Sequence, residues 1–495
     1  MPSRPKPVVE LKFEPGEYLC HWHVPSKDGT TLTLPGSIEV DSDSGPKGII
    51  HGDVPLEALR EGVYSFPQSS RYKALKLSLA NGGTGVVLNA RVDWGTGIGF
   101  VSGGIATLAL GNGVAPWNEQ TVEAAGEDEE FLYGSCEVQI GALDALMGVT
   151  PIGWKNDPRE AFKDDKYTWT SVTNPDASLE WSDDHGNTVK AWYPSKINSH
   201  DFYNVSIRYA PVLKVTVAEP ASLPDFIDQW LAPIRGIASI ATGRSQPVHM
   251  IKLRPSGDDG SPWGAAQVFG TALTQAPFDS SADQVRSDKT VLQCAADGVS
   301  LLDLIRSWWR LRDEQHPLIE TYAGMLHVKD AHPRSRFLLL IQSLEAMHGH
   351  DCREEFEERR VAYVEKRDEL LDAVGEHISG KQRRFLKDAI DKEPKRNLST
   401  ALEAAFDLPE QFAQAREALE GSRLVSQLLA EDHNLKPLDA LRVVRNGLAH
   451  GTRGFDAYDL DQVNDILDRL VRAHGLRLLG CPQSVFARLA VPADR

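Results

Sequence analysis

Cysteine is scarce in this chain. Its 495 residues include only Cys20, Cys136, Cys294, Cys352 and Cys481, an odd and scattered set that does not resemble a disulfide framework. A reducing cytoplasm is therefore the expected compartment. No uninterrupted apolar run approaches the ~20 residues of a membrane span, and the opening Met-Pro-Ser-Arg-Pro-Lys-Pro has no apolar core behind it, so a soluble, unsecreted protein is expected. Nucleotide-phosphate cradles are missing too: there is no G-x-x-x-x-G-K-[ST], and the glycine-rich Gly95 to Gly104 lacks the G-x-G-x-x-G register, which makes it a cluster of β-turns. Positive charge is in short supply, with 53 Lys and Arg against 70 Asp and Glu for a net charge of −17. That argues against a broad basic face for non-specific duplex binding, while a local cationic patch for a short RNA segment stays compatible.

What is present divides the chain in two. Residues 1 to 290 hold 36 acidic and 24 basic side chains, a net of −12, and residues 291 to 495 hold 34 and 29, a net of −5. Up to about residue 215 the pattern is short β-rich segments cut by Gly, Pro, Asn and Asp, among them Thr30 to Leu34, Ala74 to Leu79, Val86 to Val92, Cys136 to Ile140, Val189 to Trp192, Tyr203 to Tyr209 and Val212 to Val217. These predict antiparallel sandwiches or barrels. Asp41 to Gly48 and Glu123 to Glu130 read as solvated loops. Ser222, with Asp225 three residues on, opens a helix that Gly243 closes, and strands are expected again at Val248 to Leu253 and Ala265 to Phe269. Asp279 to Lys289 is the expected linker. Helical periodicity then dominates, with helices expected at 297–313, 333–349, 352–375, 380–391, 397–406, 410–430, 437–450 and 457–474. The fold class is thus multidomain: a β-rich region over residues 1–286, then an all-α bundle over 287–495, in which Leu438, Leu441, Val444 and Leu448 meet Leu338, Ile341 and Leu344.

The chemistry converges on Arg445-Asn446-Gly447-Leu448-Ala449-His450. Wound at about 100° per residue, this helix places Arg442, Arg445, Asn446 and His450 in one polar sector, with Leu441, Val443, Val444 and Leu448 outside it. Two guanidinium groups, an amide and an imidazole suit an anionic ligand. An Arg followed by His after four to six residues also occurs at Arg244/His249, Arg310/His316 and Arg469/His474. The first brackets Pro247, the second His abuts Pro317, and the third is expected to end its helix before Gly475. Only Arg445/His450 adds an Asn four residues before the His, on the same face, where it can orient the imidazole.

R-N-G-L-A-H-G late in a helical region, with the earlier helix R-F-L-L-L-I-Q-S-L-E-A (Arg336 to Ala346), resembles the HEPN superfamily of ribonucleases, specifically its Apea-like branch. The N-terminal G-E-Y-L-C-H-W-H-V-P (Gly16 to Pro25) and L-P-G (Leu34 to Gly36) are similar to the opening of that branch. The resemblance implies a ribonuclease site at the R-x4-6-H motif, a C-terminal HEPN domain behind a strand-rich N-terminal domain, a dimer with a composite cleft, and a role in abortive defence against phage.

RNA cleavage without a metal requires removal of the 2′-hydroxyl proton, charge stabilisation at phosphorus and protonation of the leaving 5′-oxygen. His450 is the expected proton carrier and Arg445, whose planar fork suits phosphate oxygens, the charge stabiliser. Asn446 completes the expected catalytic set, and Glu345 and Arg442 are possible supporting residues, the first to orient an Arg or the His, the second equally able to pair with Asp439. One motif supplies one good acid-base group, so an isologous homodimer is expected. His348-Gly349-His350-Asp351-Cys352 and Cys20, His21 and His23 have metal-ligand residue types without a zinc spacing, so no metal and no cofactor is expected. The reading is a cytoplasmic, dimeric, metal-independent endoribonuclease; the resemblance implies that it acts on host RNA, with transfer RNA as one candidate, and residues 1–286 are expected to restrain it until a phage-derived trigger arrives. The alternative is a non-catalytic binding or dimerisation protein whose β domain recognises a protein or glycan, and a metal-dependent hydrolase is the third option.

Overall fold

The computed structural model describes residues 6–489 apart from 27–29, 42–43, 53–56, 61–62, 66, 96, 111–130, 156–169, 175–176, 202–203, 255–264, 282–284, 286–289, 319–321, 323–331, 376, 395–397 and 408–412. It forms two compact units: residues 1–238 with 246–306, and residues 239–245 with 307–495. The sequence placed one boundary at 286. The later division follows from burial, since Val291, Leu292 and Cys294 are core residues of the first unit.

Thirteen strands of the first unit join one antiparallel sheet. In chain order these are β1 (Gly16–Pro25), β2 (Thr31–Val40), β3 (Lys47–His51), β4 (Ser69–Leu79), β5 (Gly83–Gly95), β6 (Ile98–Ser102), β7 (Ile105–Leu110), β8 (Leu132–Ile140), β9 (Leu179–Ser182), β10 (Thr188–Trp192), β11 (Val212–Ser222), β12 (Val248–Arg254) and β13 (Ala266–Gly270). Six of them close into a barrel: β1 pairs with β2 and β4, β2 with β3, β3 with β6, β6 with β5, and β5 with β4. The long β5 also pairs through its first half with β7, from which the sheet continues as β13, β12, β8, β11, β10 and β9. Closure removes the unpaired edges that the six strands would otherwise expose.

Alternation along β1 sends Cys20, Trp22 and Val24 inward, against Ile38, Leu75, Leu77 and Val92. The Trp22 indole explains the L-P-G motif. A Cβ on Gly36 would lie 1.9 Å from the Ile49 carbonyl oxygen and 2.8 Å from the indole, and one on Gly48 would lie 2.5 Å from it. Only glycine lets the two strands pass this close, and Trp22 Nε1 donates to the Ile49 carbonyl at 3.0 Å.

Most expected elements are present, with corrections. The loop expected over Asp41 to Gly48 ends early because Lys47 and Gly48 open β3, and Glu123 to Glu130 lies outside the described residues. Ser222 and Asp225 form a reciprocal capping box, and after a π-helical stretch at Phe226–Leu231 the helix Ala232–Thr242 ends at Gly243 with φ +65°. The start of the expected linker is anchored: Asp279 accepts from Val8 N–H at 2.8 Å and from Arg208, and Ser281 N–H donates to Asp144. Its residues 282–284 and 286–289 lie outside the described ones.

The second unit is helical: α1 (Pro333–Asp351), α2 (Arg353–Gly375), α3 (Gly380–Ala389), α4 (Leu398–Phe406), α5 (Ala413–Glu420), α6 (Arg423–Glu431), α7 (Pro437–His450) and α8 (Ala457–Leu478). The helix expected over 410–430 is two helices, because the Ser422 hydroxyl donates to Leu419 O and accepts from Val425 N–H, capping the second. The helix expected to stop at 474 runs to Leu478. Gly475 is packed inside the bundle in helical conformation, where a glycine gives no stop. Helix α1 packs against α8, α4 and α7, and α7 also meets α4 and α6. Leu338 is only half-buried; Phe337, Leu340, Ile341, Leu344 and Met347 form the buried stripe of α1 that faces the bundle.

Candidate functional site

Pro437 at the first helical position and Gly451 at φ +66° delimit α7, so His450 is its last residue. Leu438, Ala440, Leu441, Val444, Gly447 and Leu448 face the bundle. A side chain at Gly447 of R-N-G-L-A-H would crowd the chain that returns over the helix. A Cβ there would sit 3.1 Å from Phe455 and 3.2 Å from Arg453, because the chain turns at Gly451 and folds back over the helix end. Thr452 and Arg453 donate their backbone N–H groups to Gly447 O, and the Arg453 guanidinium, 5.0 Å from the Phe455 ring, is held by both oxygens of Glu431 at 2.7 Å. Arg334, at the start of α1, donates to Leu448 O. That contact adds a second donor to a carbonyl of the last turn, which Gly451 N–H reaches at 3.4 Å, and nothing in the spacing of the motif announces it.

The open face of α7 carries the expected residues. His450 and Arg442 are exposed, and Arg445 and Asn446 are half-buried. Arg445 Nη1 donates to Asn446 Oδ1 at 3.1 Å, so the amide is engaged with the guanidinium; among the described residues no hydrogen bond joins it to the imidazole it was expected to orient. Glu345 reaches Arg445, with Oε2 3.6 Å from Nη2. The two side chains are 32% and 39% exposed, so the pair is worth about 0–1 kcal/mol and a phosphate can displace the carboxylate. Arg442 lies 3.6 Å from Asp439, the pairing its spacing allowed. Arg336, the first residue of the other quoted motif, sits between Asp461 and Asp465 at 3.4 and 3.3 Å and ties α1 to α8.

Burial separates the four Arg and His pairs. His249, His316 and His474 are all buried, and His450 alone of the four presents its ring to solvent. His249 hydrogen-bonds Thr274 at 3.0 Å, and His474 Nε2 donates to Ala405 O at 2.8 Å, with burial pushing its imidazole down to about 4. His316 accepts from Leu318 N–H through Nδ1.

Neither metal-type cluster noted in the sequence forms as such. Along β1, Cys20 points into the barrel, where burial pushes its thiol up to about 12, while His21 and His23 point outward and His23 hydrogen-bonds Ser78 at 2.7 Å. From the second cluster, His350 and Asp351 meet His316, their nitrogen and oxygen atoms lying within 4.8 Å of one another. Because His316 Nδ1 accepts a hydrogen bond, its neutral ring carries the proton on Nε2, 3.5 Å from Asp351, and has no lone pair there for an ion. His316 beside Asp351 holds that carboxyl below its usual range.

Among the described residues no helix is long and apolar enough to cross a membrane. No curated protein and no solved structure matches the chain. The family model of ApeA N-terminal domain 1 matches residues 18–308, more than half of the chain and all of the closed barrel and its extended sheet except the first two residues of β1. The chain therefore belongs to the ApeA N-terminal domain 1 family, in keeping with an ApeA-like defence protein.

Proposed function

We propose that the protein is a metal-independent endoribonuclease of the HEPN type, working as a homodimer in abortive defence against phage. The observation that carries this reading is the state of His450: of four similarly spaced imidazoles it alone is exposed, and it shares its helix face with Arg445, Asn446 and Arg442. Arg445 takes the phosphate in place of Glu345, whose hold on it is weak. Asn446 accepts from the Arg445 guanidinium through its Oδ1, leaving its amide N–H groups for an RNA oxygen.

His450 moves the proton. In-line attack of the 2′-hydroxyl forms a bond to phosphorus and expels the 5′-oxygen, leaving a 2′,3′-cyclic phosphate and a 5′-hydroxyl; one group takes the first proton and another gives the second. A partner's identical helix supplies the second imidazole. Support for pairing comes from α2 and α3, which leave Val361, Leu370 and Phe385 about half exposed or more. The β-rich unit, which carries the larger acidic surplus, is assigned the response to a phage-derived trigger.

His450→Ala is the test. In the full-length protein it should abolish RNA cleavage and phage protection, leaving fold and oligomer unchanged, and the wild-type products should end in 2′,3′-cyclic phosphates. Cleavage that persists in the variant, or that a chelator stops, overturns the reading. The second reading, a binding protein without catalysis, predicts that His450→Ala changes nothing.

A further inference from the structure

Glu345 has a second neighbour besides Arg445. It lines a cavity of about 320 Å³ between α1, the start of α2 and α4, whose other walls include Gln342 and His348 from α1, Phe356 and Arg359 from α2, and Ala401 from α4. Residues 342, 345, 346 and 349 lie on one face of α1 at spacings of three and four, so the cavity runs along the helix surface and meets Arg445 at Glu345. The volume falls at the lower end of the range for sites that hold small molecules.

We infer that this cavity receives the guanine base of an RNA nucleotide next to the scissile phosphate, read by Glu345. The link to cleavage rests on the nuclease reading above. A carboxylate offers two acceptors side by side, and guanine presents two adjacent donors, N1–H and the 2-amino group. Adenine and cytosine set an acceptor beside their amino group, and uracil has one N–H between two carbonyls, so each would turn a lone pair toward the carboxylate. Gln342 and Arg359 bring N–H groups for O6 and N7, and the Phe356 ring, with the Arg359 guanidinium 5.8 Å from its centroid, offers a stacking surface. Guanine's two N–H groups would engage both Glu345 oxygens, of which Arg445 reaches one, Oε2, at 3.6 Å. Base entry draws the carboxylate away from the guanidinium and leaves Arg445 free for the phosphate, which couples recognition to the catalytic face.

Full-length protein titrated calorimetrically with GMP, AMP, CMP and UMP, which have no scissile linkage, tests the cavity independently of cleavage. GMP should bind at least tenfold more tightly than the others. Ala346→Phe, which fills the cavity, and Gln342→Ala, an exposed change that spares the fold, should both weaken GMP, the first by tenfold or more. Equal binding of all four nucleotides, or GMP binding unmoved by both variants, overturns the inference. Mapping the ends of cleaved RNA separates the two readings. Cleavage with no preference for a neighbouring G refutes the cavity assignment and leaves the nuclease standing; selective GMP binding without any RNA cleavage supports the cavity and refutes the nuclease.

Discussion

Arg445 and Glu345 lie a hundred positions apart in the chain and 3.6 Å apart in space, each more than three tenths exposed. The pair parks a guanidinium without locking it. Replacing Arg445 with Ala is expected to lower kcat/KM for RNA by about 10²–10³, the usual cost of one oxyanion-stabilising donor. Arg445→Lys should recover only part of that, because an ammonium lacks the bidentate fork. Single-turnover cleavage assays check this, and a Lys variant as active as the original would remove the fork from the mechanism.

If two imidazoles serve each phosphate, activity depends on the dimer. Phe385, 71% exposed on α3, and Leu370, 53% exposed on α2, are the apolar residues whose replacement should test it. Phe385→Asp combined with Leu370→Asp is expected to yield monomers by sedimentation and to cut cleavage to the level of His450→Ala. A monomer that still cleaves RNA would show that one α7 face suffices.

Gly447 accommodates the returning chain at Arg453 and Phe455. Gly447→Val should cost about 1–3 kcal/mol of stability through overpacking, and by pushing the 451–455 turn outward it should displace His450 and slow cleavage as well. Denaturant unfolding and kcat measured on the same preparation read both effects. A variant of unchanged stability would mean that the turn moves freely.

The pH dependence of stability has a definite source in His474. Its folded pKa is depressed from 6.5 to about 4 by burial, so below pH 6.5 the unfolded chain binds a proton that the folded chain refuses. The stabilisation is full above pH 6.5, falls as the pH drops, and levels off near pH 4, with a total loss of about 3 kcal/mol. His474→Gln keeps an N–H for Ala405 O and should flatten urea midpoints between pH 4 and 6.5. An unchanged slope would assign the acid sensitivity elsewhere.

Local signals were legible in the sequence where local chemistry decides the outcome. The range 437–450 read from periodicity coincides with α7, and the Ser222 and Asp225 box marked the helix behind β11. Gly475 misled because its neighbours in space, Ile240 and Leu318, decide its role, and Ser422 was missed because a lone serine in a helical pattern breaks it only when its hydroxyl finds Leu419 O. Barrel closure depends on β3 meeting β6 and β1 meeting β4, pairings that no short window contains. The face of α7 was readable from helical periodicity alone. The partner of Arg445 was suggested by a lone Glu on α1, whereas Arg334 and the cavity beside Glu345 require the bundle to be assembled.

The seven residues 239–245 belong to the helical unit although the chain before and after them belongs to the other. Within that unit Arg472 donates Nε to Ile240 O at 2.7 Å and Nη2 to Ala241 O at 2.8 Å, and its guanidinium packs on Gly243. A single crossover near residue 286 that replaced the β-rich half would therefore part Arg472 from the segment that supplies its acceptors. A chimera so made would inherit an arginine whose two acceptors stayed behind with the discarded parent, and a successful swap must bring its own pair of carbonyls to the same place.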